Sequence, residues 1–129
     1  MGGGEIYEQL FIFKALEKGY TVNTPVNVSP YDLILDIGSR LLKVQVKSSA
    51  IAIENFYSVS IAKGCNGRAY DLCDFDYYAI YLIAHENWYL IPIETLSGLK
   101  KISINPDSIK SKYTPYKEAW ELLFNPLPL

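Results

Sequence analysis

The sequence predicts an α+β fold, or a mixed-sheet α/β fold, in which helices cover a central sheet. Three observations carry the expectation. A run of helix formers opens the chain, a series of β-rich runs fills its middle, and a short amphipathic run closes it. The 129 residues are half apolar and one fifth charged, enough for one buried core. No repeat or linker interrupts them, so one domain is expected over 1–129, with its core at about 5–93 and an extension at 94–129.

Glu5–Lys18 (EIYEQLFIFKALEK) has acids in its first turn, a lysine in its last, and Gly19 where a helix ends. It is apolar nearly all round, which predicts a helix buried on most sides. Tyr20–Val28 leans to strand, and Pro25 limits it to a short or edge piece. Tyr31–Ile37 and Leu41–Ser48 are strand-like on either side of Gly38-Ser39-Arg40, which predicts a hairpin. Phe56–Ala62 alternates as a further strand, and Gly64–Asp74 reads as a loop or broken helical turn. Asp76–Ala84 and Trp88–Ile93 are strong strands turning at His85-Glu86-Asn87. Glu94–Ser108 reads as irregular, and Tyr116–Phe124 as a helix with Ala119, Trp120 and Leu123 on one face.

Composition narrows the function. The net charge of −2 excludes a basic nucleic-acid tail but not a local basic patch. No apolar run reaches the roughly 18–20 residues that span a bilayer, and the first residues lack the pattern of a secretory signal. One His and two Cys argue against a zinc site; Cys65 and Cys73 read as free thiols in a reducing, cytoplasmic setting.

The hairpin holds the chemistry. A turn centred on Gly38-Ser39 pairs residues whose numbers sum to 77. Provided no bulge intervenes, Asp32 then lies opposite Gln45, with Lys47 one step along the same face. A carboxylate, an amide oxygen and an ammonium can meet there. Mg²⁺ prefers oxygen ligands of this kind, with Mn²⁺ able to substitute, and a neighbouring lysine can orient or activate water for phosphodiester hydrolysis. Two bland readings stand beside this one. An Asp after Pro30-Tyr31 also suits an Asx-turn, and Asp36 beside the turn reads first as hairpin punctuation, otherwise as an alternative ligand.

Pro30-Tyr31-Asp32 followed by Gln45-Val46-Lys47 resembles the signature of the PD-(D/E)XK nuclease superfamily, whose αβββαβ core sets a mixed sheet between helices. With a helix glutamate ahead of YDLILD and with FDYYAIYLI and WYLIP behind, the chain is most similar to the small intron-encoded homing endonucleases of that fold. The resemblance covers roughly residues 4–93 and departs from the common pattern at Gln45, where most members carry an acid. It implies a Mg²⁺-dependent, site-specific endonuclease acting on double-stranded DNA. Asp32, Gln45 and Glu8 (with Glu5 in reserve) would be metal ligands, and Lys47 the residue that positions water. It also implies a homo-oligomer, a tetramer by resemblance, with a dimer as the simpler form. Lys63, Arg68, Lys100, Lys101, Lys110 and Lys112 are the basic residues available to phosphate. A Holliday-junction resolvase, a restriction or repair nuclease, or a non-catalytic DNA-binding or assembly module on the same fold are the alternatives.

Overall fold

In a computed structural model, residues 3–50, 52–63, 68–69 and 74–123 are described, with backbone alone at 3, 52, 62–63 and 68–69. Helix α1 (Gly3–Glu17) is followed by β1 (Thr21–Asn23), β2 (Leu33–Asp36), β3 (Leu41–Ser49), β4 (Ala52–Ile53) and β5 (Phe56–Ser60). Then come β6 (Ala62–Lys63), β7 (Arg68–Ala69), β8 (Tyr77–Leu82), β9 (Asn87–Pro92) and β10 (Lys101–Ile104). The central sheet has the order β1-β2-β3-β8-β9; β3 and β8 run parallel and the other neighbours antiparallel. A second, antiparallel sheet has the order β10-β5-β4, and β6 pairs with β7.

Strand alternation sends side chains to both faces of the central sheet, and both faces are covered. On one face Leu33, Leu35, Leu42, Val44, Val46, Tyr77, Ala79 and Leu90 pack against Phe11 and Ala15 of α1 and against Trp120 and Leu123. On the other, Tyr78, Ile80, Leu82, Tyr89 and Ile91 meet Tyr57 and Val59 of β5 and Ile102 and Ile104 of β10. The layers are therefore helix, sheet and sheet. Under this double cover Tyr77 and Tyr78 both point inward: they enter opposite cores, where their hydroxyls donate to Leu122 O at 3.0 Å and Ser60 O at 3.2 Å. Tyr81 packs on Tyr7 and Trp88.

The expected mixed α+β architecture is present, with differences that have local causes. Helix α1 is buried along Phe11 and Ala15 and not on most sides: Ile6, Phe13 and Leu16 are each more than half exposed, because one sheet face is all the helix covers. The connection from β3 to β8 runs through β4–β7, and α1 is the one α-helix among the described residues. Glu94–Ser108 is not wholly irregular, since Lys101–Ile104 forms β10 with Ile102 and Ile104 buried. The helix expected over Tyr116–Phe124, of which Phe124 lies outside the described residues, is replaced over the rest by two 3-10 turns, Thr114–Tyr116 and Trp120–Leu123. The edge strand β9 claims the segment between them. Tyr89 bridges to Lys117, Glu118 N–H donates to Trp88 O at 2.7 Å, and Trp88 N–H donates to Glu118 Oε2 at 2.7 Å. Glu118 takes a φ of 49° to make these bonds, which no continuous helix tolerates.

Candidate active site

The hairpin register is the expected one: Leu33 pairs with Val44, Ile34 with Lys43, Leu35 with Leu42 and Asp36 with Leu41. The ladder stops at Leu33. Asp32 N–H donates to Val44 O at 2.9 Å, one residue short of a pairing with Gln45. Its side chain continues where the backbone stops, for Val46 N–H donates to Asp32 Oδ2 at 2.8 Å. Asp76 plays the matching part on the other edge of β3, with Lys43 N–H donating to Asp76 Oδ2 and Asp76 N–H to Lys43 O, each at 2.8 Å. Asp32 thus shapes the start of its strand through a bond across to β3, and not through an Asx-turn, whose donor would lie two residues on. It leaves the second carboxylate oxygen for other work.

Glu8, Asp32, Gln45 and Lys47 line one cleft of about 360 Å³, together with Gly4, Tyr7, Val46 and Ser48. The helix is fixed beside the sheet by its aromatic residues. Tyr7 stacks on Tyr81 at 5.5 Å between centroids, and Phe11 meets Trp88 and Trp120 at 5.3 Å each. Glu8, held between these two anchors, is brought to the end of β2. Tyr7 is a lining residue that pattern reasoning passes over. Its signal is the spacing to Phe11, four residues on, which predicts one shared helix face.

The electrostatics of the cleft are those of a partly compensated acidic site. Burial raises the pKa of Asp32 above the ordinary carboxylate range, partly countered by the Val46 hydrogen bond and the Lys47 charge. Burial also raises Glu8, and the charges of Asp32 and Glu5 push it the same way. Two carboxylates that resist ionisation beside each other, with an amide oxygen alongside, suit a hard divalent cation, which would relieve both the repulsion and the desolvation. The donor set therefore fits the metal that the fold implies.

The remaining candidates separate cleanly. Glu5 is exposed and does not line the cleft, so Glu8 is the glutamate the helix delivers. Asp36 Oδ1 accepts from Gly38 N–H at 2.9 Å, as hairpin punctuation should. Lys100 and Lys101 are exposed at β10, and Lys110 and Lys112 are exposed in the turns after it. The side chains of Lys63 and Arg68, and all of Cys65 and Cys73, lie outside the described residues. His85 is a turn residue against the edge of the Tyr57 ring, at 5.5 Å.

Comparison with known proteins identifies the family. The family model described as PD-(D/E)XK endonuclease matches residues 2–123. The solved structure of a bacterial homing endonuclease, I-Ssp6803I, is similar with a TM-score of 0.82 at 30% identity, over 95% of this chain and 90% of that one. Hjc, a Holliday junction resolvase from Archaeoglobus fulgidus, shares the fold with a TM-score of 0.52 at 16% identity, over 81% of this chain and 84% of that one. No curated protein sequence matches. With a family match over nearly its whole length, the chain belongs to the PD-(D/E)XK endonucleases and is a DNA endonuclease.

Proposed function

We infer that the protein is a Mg²⁺-dependent, site-specific endonuclease of the homing type, intron-encoded, cutting double-stranded DNA inside the cell as a homo-oligomer. The observation that carries this reading is the meeting of Glu8, Asp32, Gln45 and Lys47 in one open cleft at the end of β2. The similarity to I-Ssp6803I favours the homing type over the resolvase, whose likeness is one of fold.

Asp32 would hold the cation through the oxygen that Val46 does not occupy, Gln45 through its amide oxygen, and Glu8 from the helix. When bound, the cation would polarise a phosphoryl oxygen and make water a better nucleophile at neutral pH. The chain's own share is positional and electrostatic. The Val46 amide fixes the Asp32 carboxylate, so little reorganisation accompanies the reaction. Lys47 is exposed at the rim, where its ammonium can orient water and offset charge gathering on the phosphate oxygens. Gln45 adds an oxygen without a charge, so the site should bind metal more weakly than a three-carboxylate site.

The test is incubation with supercoiled plasmid and mixed genomic DNA in Mn²⁺, beside Lys47→Ala prepared identically. Nicking by the wild type alone supports the reading, and equal nicking by both overturns the assignment of Lys47. A four-way junction offered in competition with linear duplex separates the two substrate classes, and preferential cutting of the junction would replace the homing reading with the resolvase one.

A further inference from the structure

Strands β5 and β10 turn alternate residues to the core and to solvent. Inward go Tyr57, Val59, Ile102 and Ile104. Outward go Phe56, Ser58, Ser60, Lys101 and Ser103, all exposed. The register sets Ser58 across from Ser103 and Ser60 across from Lys101, so three hydroxyls and one ammonium form a compact block on two adjacent strands. No carboxylate stands among these outward residues; the neighbouring acid is Glu54, in the turn between β4 and β5.

This face lies on the same side of the molecule as the catalytic lysine. Along β3, Gln45 and Lys47 alternate with Val44 and Val46, which face α1. They therefore leave the central sheet on its other face, that of Tyr78 and Ile80, their parallel partners on β8. That is the face the β10-β5-β4 sheet covers, so the outer surface of this sheet looks the way Lys47 looks. The two sheets are joined close to the cleft. β3 runs on from Lys47 to Ser49, whose Oγ donates to Ser58 O at 3.3 Å, and β4 begins three residues later.

We propose that the outer face of β5 and β10 (Ser58, Ser60 and Ser103, with Lys101 at its border) enters the major groove and reads bases of the DNA cut at the cleft. The proposal rests on the nuclease reading and extends it to substrate selection. Duplex DNA is the occupant that the charge and the position favour: among the described residues the one charged side chain pointing outward from β5 and β10 is Lys101, a cation, and the face adjoins the cleft where the same duplex must lie. The dimensions agree, since the major groove is about 12 Å wide and admits a two-stranded ribbon. Serine hydroxyls donate and accept, which suits base edges, and their small size allows the strands to approach closely. Lys101 would meet phosphate and set the position along the groove.

The test selects bound sequences from a library of 30-base-pair duplexes with a randomised centre, in Ca²⁺, so that recognition is read apart from hydrolysis. The wild type is expected to enrich particular bases. A Ser58→Ala, Ser60→Ala, Ser103→Ala triple variant, checked for an unchanged melting temperature, should lose roughly tenfold in preference at some of those positions and keep it at others. Lys101→Ala should weaken binding of all sequences and lower the slope of log affinity against log salt by about 0.9. An unchanged base pattern in the triple variant overturns the proposal, as does the absence of any enrichment by the wild type. Loss of cutting in Lys47→Ala is measured separately, so failure of the nuclease reading and failure of this one are told apart.

Discussion

Replacing Asp32 by Asn and by Ala separates the two tasks that fall on this carboxylate. In Asp32→Ala the Val46 N–H loses its acceptor. Val46 is 7% exposed, so its amide has little water to turn to, and a buried donor left unpaired costs about 1–3 kcal/mol. Some of this is returned, because burial makes the Asp32 charge costly in the folded state. A net loss of about 1–2 kcal/mol is expected, or a fall in Tm of roughly 3–10 °C. Asp32→Asn keeps an acceptor for Val46 and removes the charge, so without metal it should melt at or above the wild type. The sign of the pH dependence follows. Asp32 and Glu8 are both raised above their ordinary values of 3.8 and 4.5, so the folded state holds their protons more tightly than the unfolded chain. The stability they contribute is complete below those ordinary values and is lost as pH rises through the raised ones. Metal-free wild type should therefore weaken as pH climbs from about 4 toward neutrality, and Asp32→Asn should weaken less. Thermal unfolding in EDTA, repeated with Mg²⁺, checks this beside plasmid cleavage; both variants should lose cutting and the Mg²⁺-induced rise in Tm. Asp76→Ala is the control, since it removes the same kind of bond from Lys43 away from the cleft lining. Equal destabilisation by Asn and Ala at position 32, or cutting by Asp32→Asn at the wild-type rate, would refute the reasoning.

Lys47→Ala should lower the melting temperature only slightly, because the side chain is exposed and loses only its screened attraction to Asp32, while cutting slows by roughly 10²–10⁴-fold; Lys47→Arg should not restore it, since a planar guanidinium places its charge differently. Gln45→Glu should lower the Mg²⁺ concentration needed for half-maximal cleavage and, by adding a third charge beside Glu8 and Asp32, lower the Tm measured in EDTA. Phe11→Ala removes a ring held between Trp88 and Trp120 and 1% exposed, at an expected cost of about 3–5 kcal/mol in urea unfolding.

What the sequence made legible was local, and what it hid was tertiary. The hairpin register follows from one glycine turn and two alternating strands, which by themselves place Gln45 and Lys47 on one face. The slip at Asp32 does not, because it arises where the ladder ends and a side chain replaces a backbone partner. Tyr116–Phe124 has helical periodicity, yet the bare edge of β9 offers Lys117 and Glu118 better bonds than a helix would. Tyr77 and Tyr78, adjacent on one strand, are both buried because a second sheet, assembled partly from the weak strand Lys101–Ile104, closes over the first. The role of Glu8 was carried by family resemblance; its delivery to the cleft depends on rings at Tyr7, Phe11, Trp88 and Trp120 that no local pattern links.

The site itself is a consequence of unequal strand lengths. β2 covers one edge of β3 from Leu41 to Val44, and β8 covers the other from Val44 to Ser49. Past Val44 no strand among the described residues lies beside the β2-facing edge of β3, and its amides must be satisfied some other way. Pro30 makes an extension of β2 costly, for it lacks an N–H to add to the ladder. Ser29 turns the chain there, its Oγ donating to Tyr31 O and accepting from Tyr31 N–H. Asp32 is left at the strand end as the group that caps Val46. A carboxylate can do this with one oxygen and still turn the other to the cleft. The same stop leaves the gap into which α1 lowers Glu8. The proline and aspartate of the motif form one device: the first ends the strand, and the second turns the unpaired edge into a fixed carboxylate beside Gln45 and Lys47.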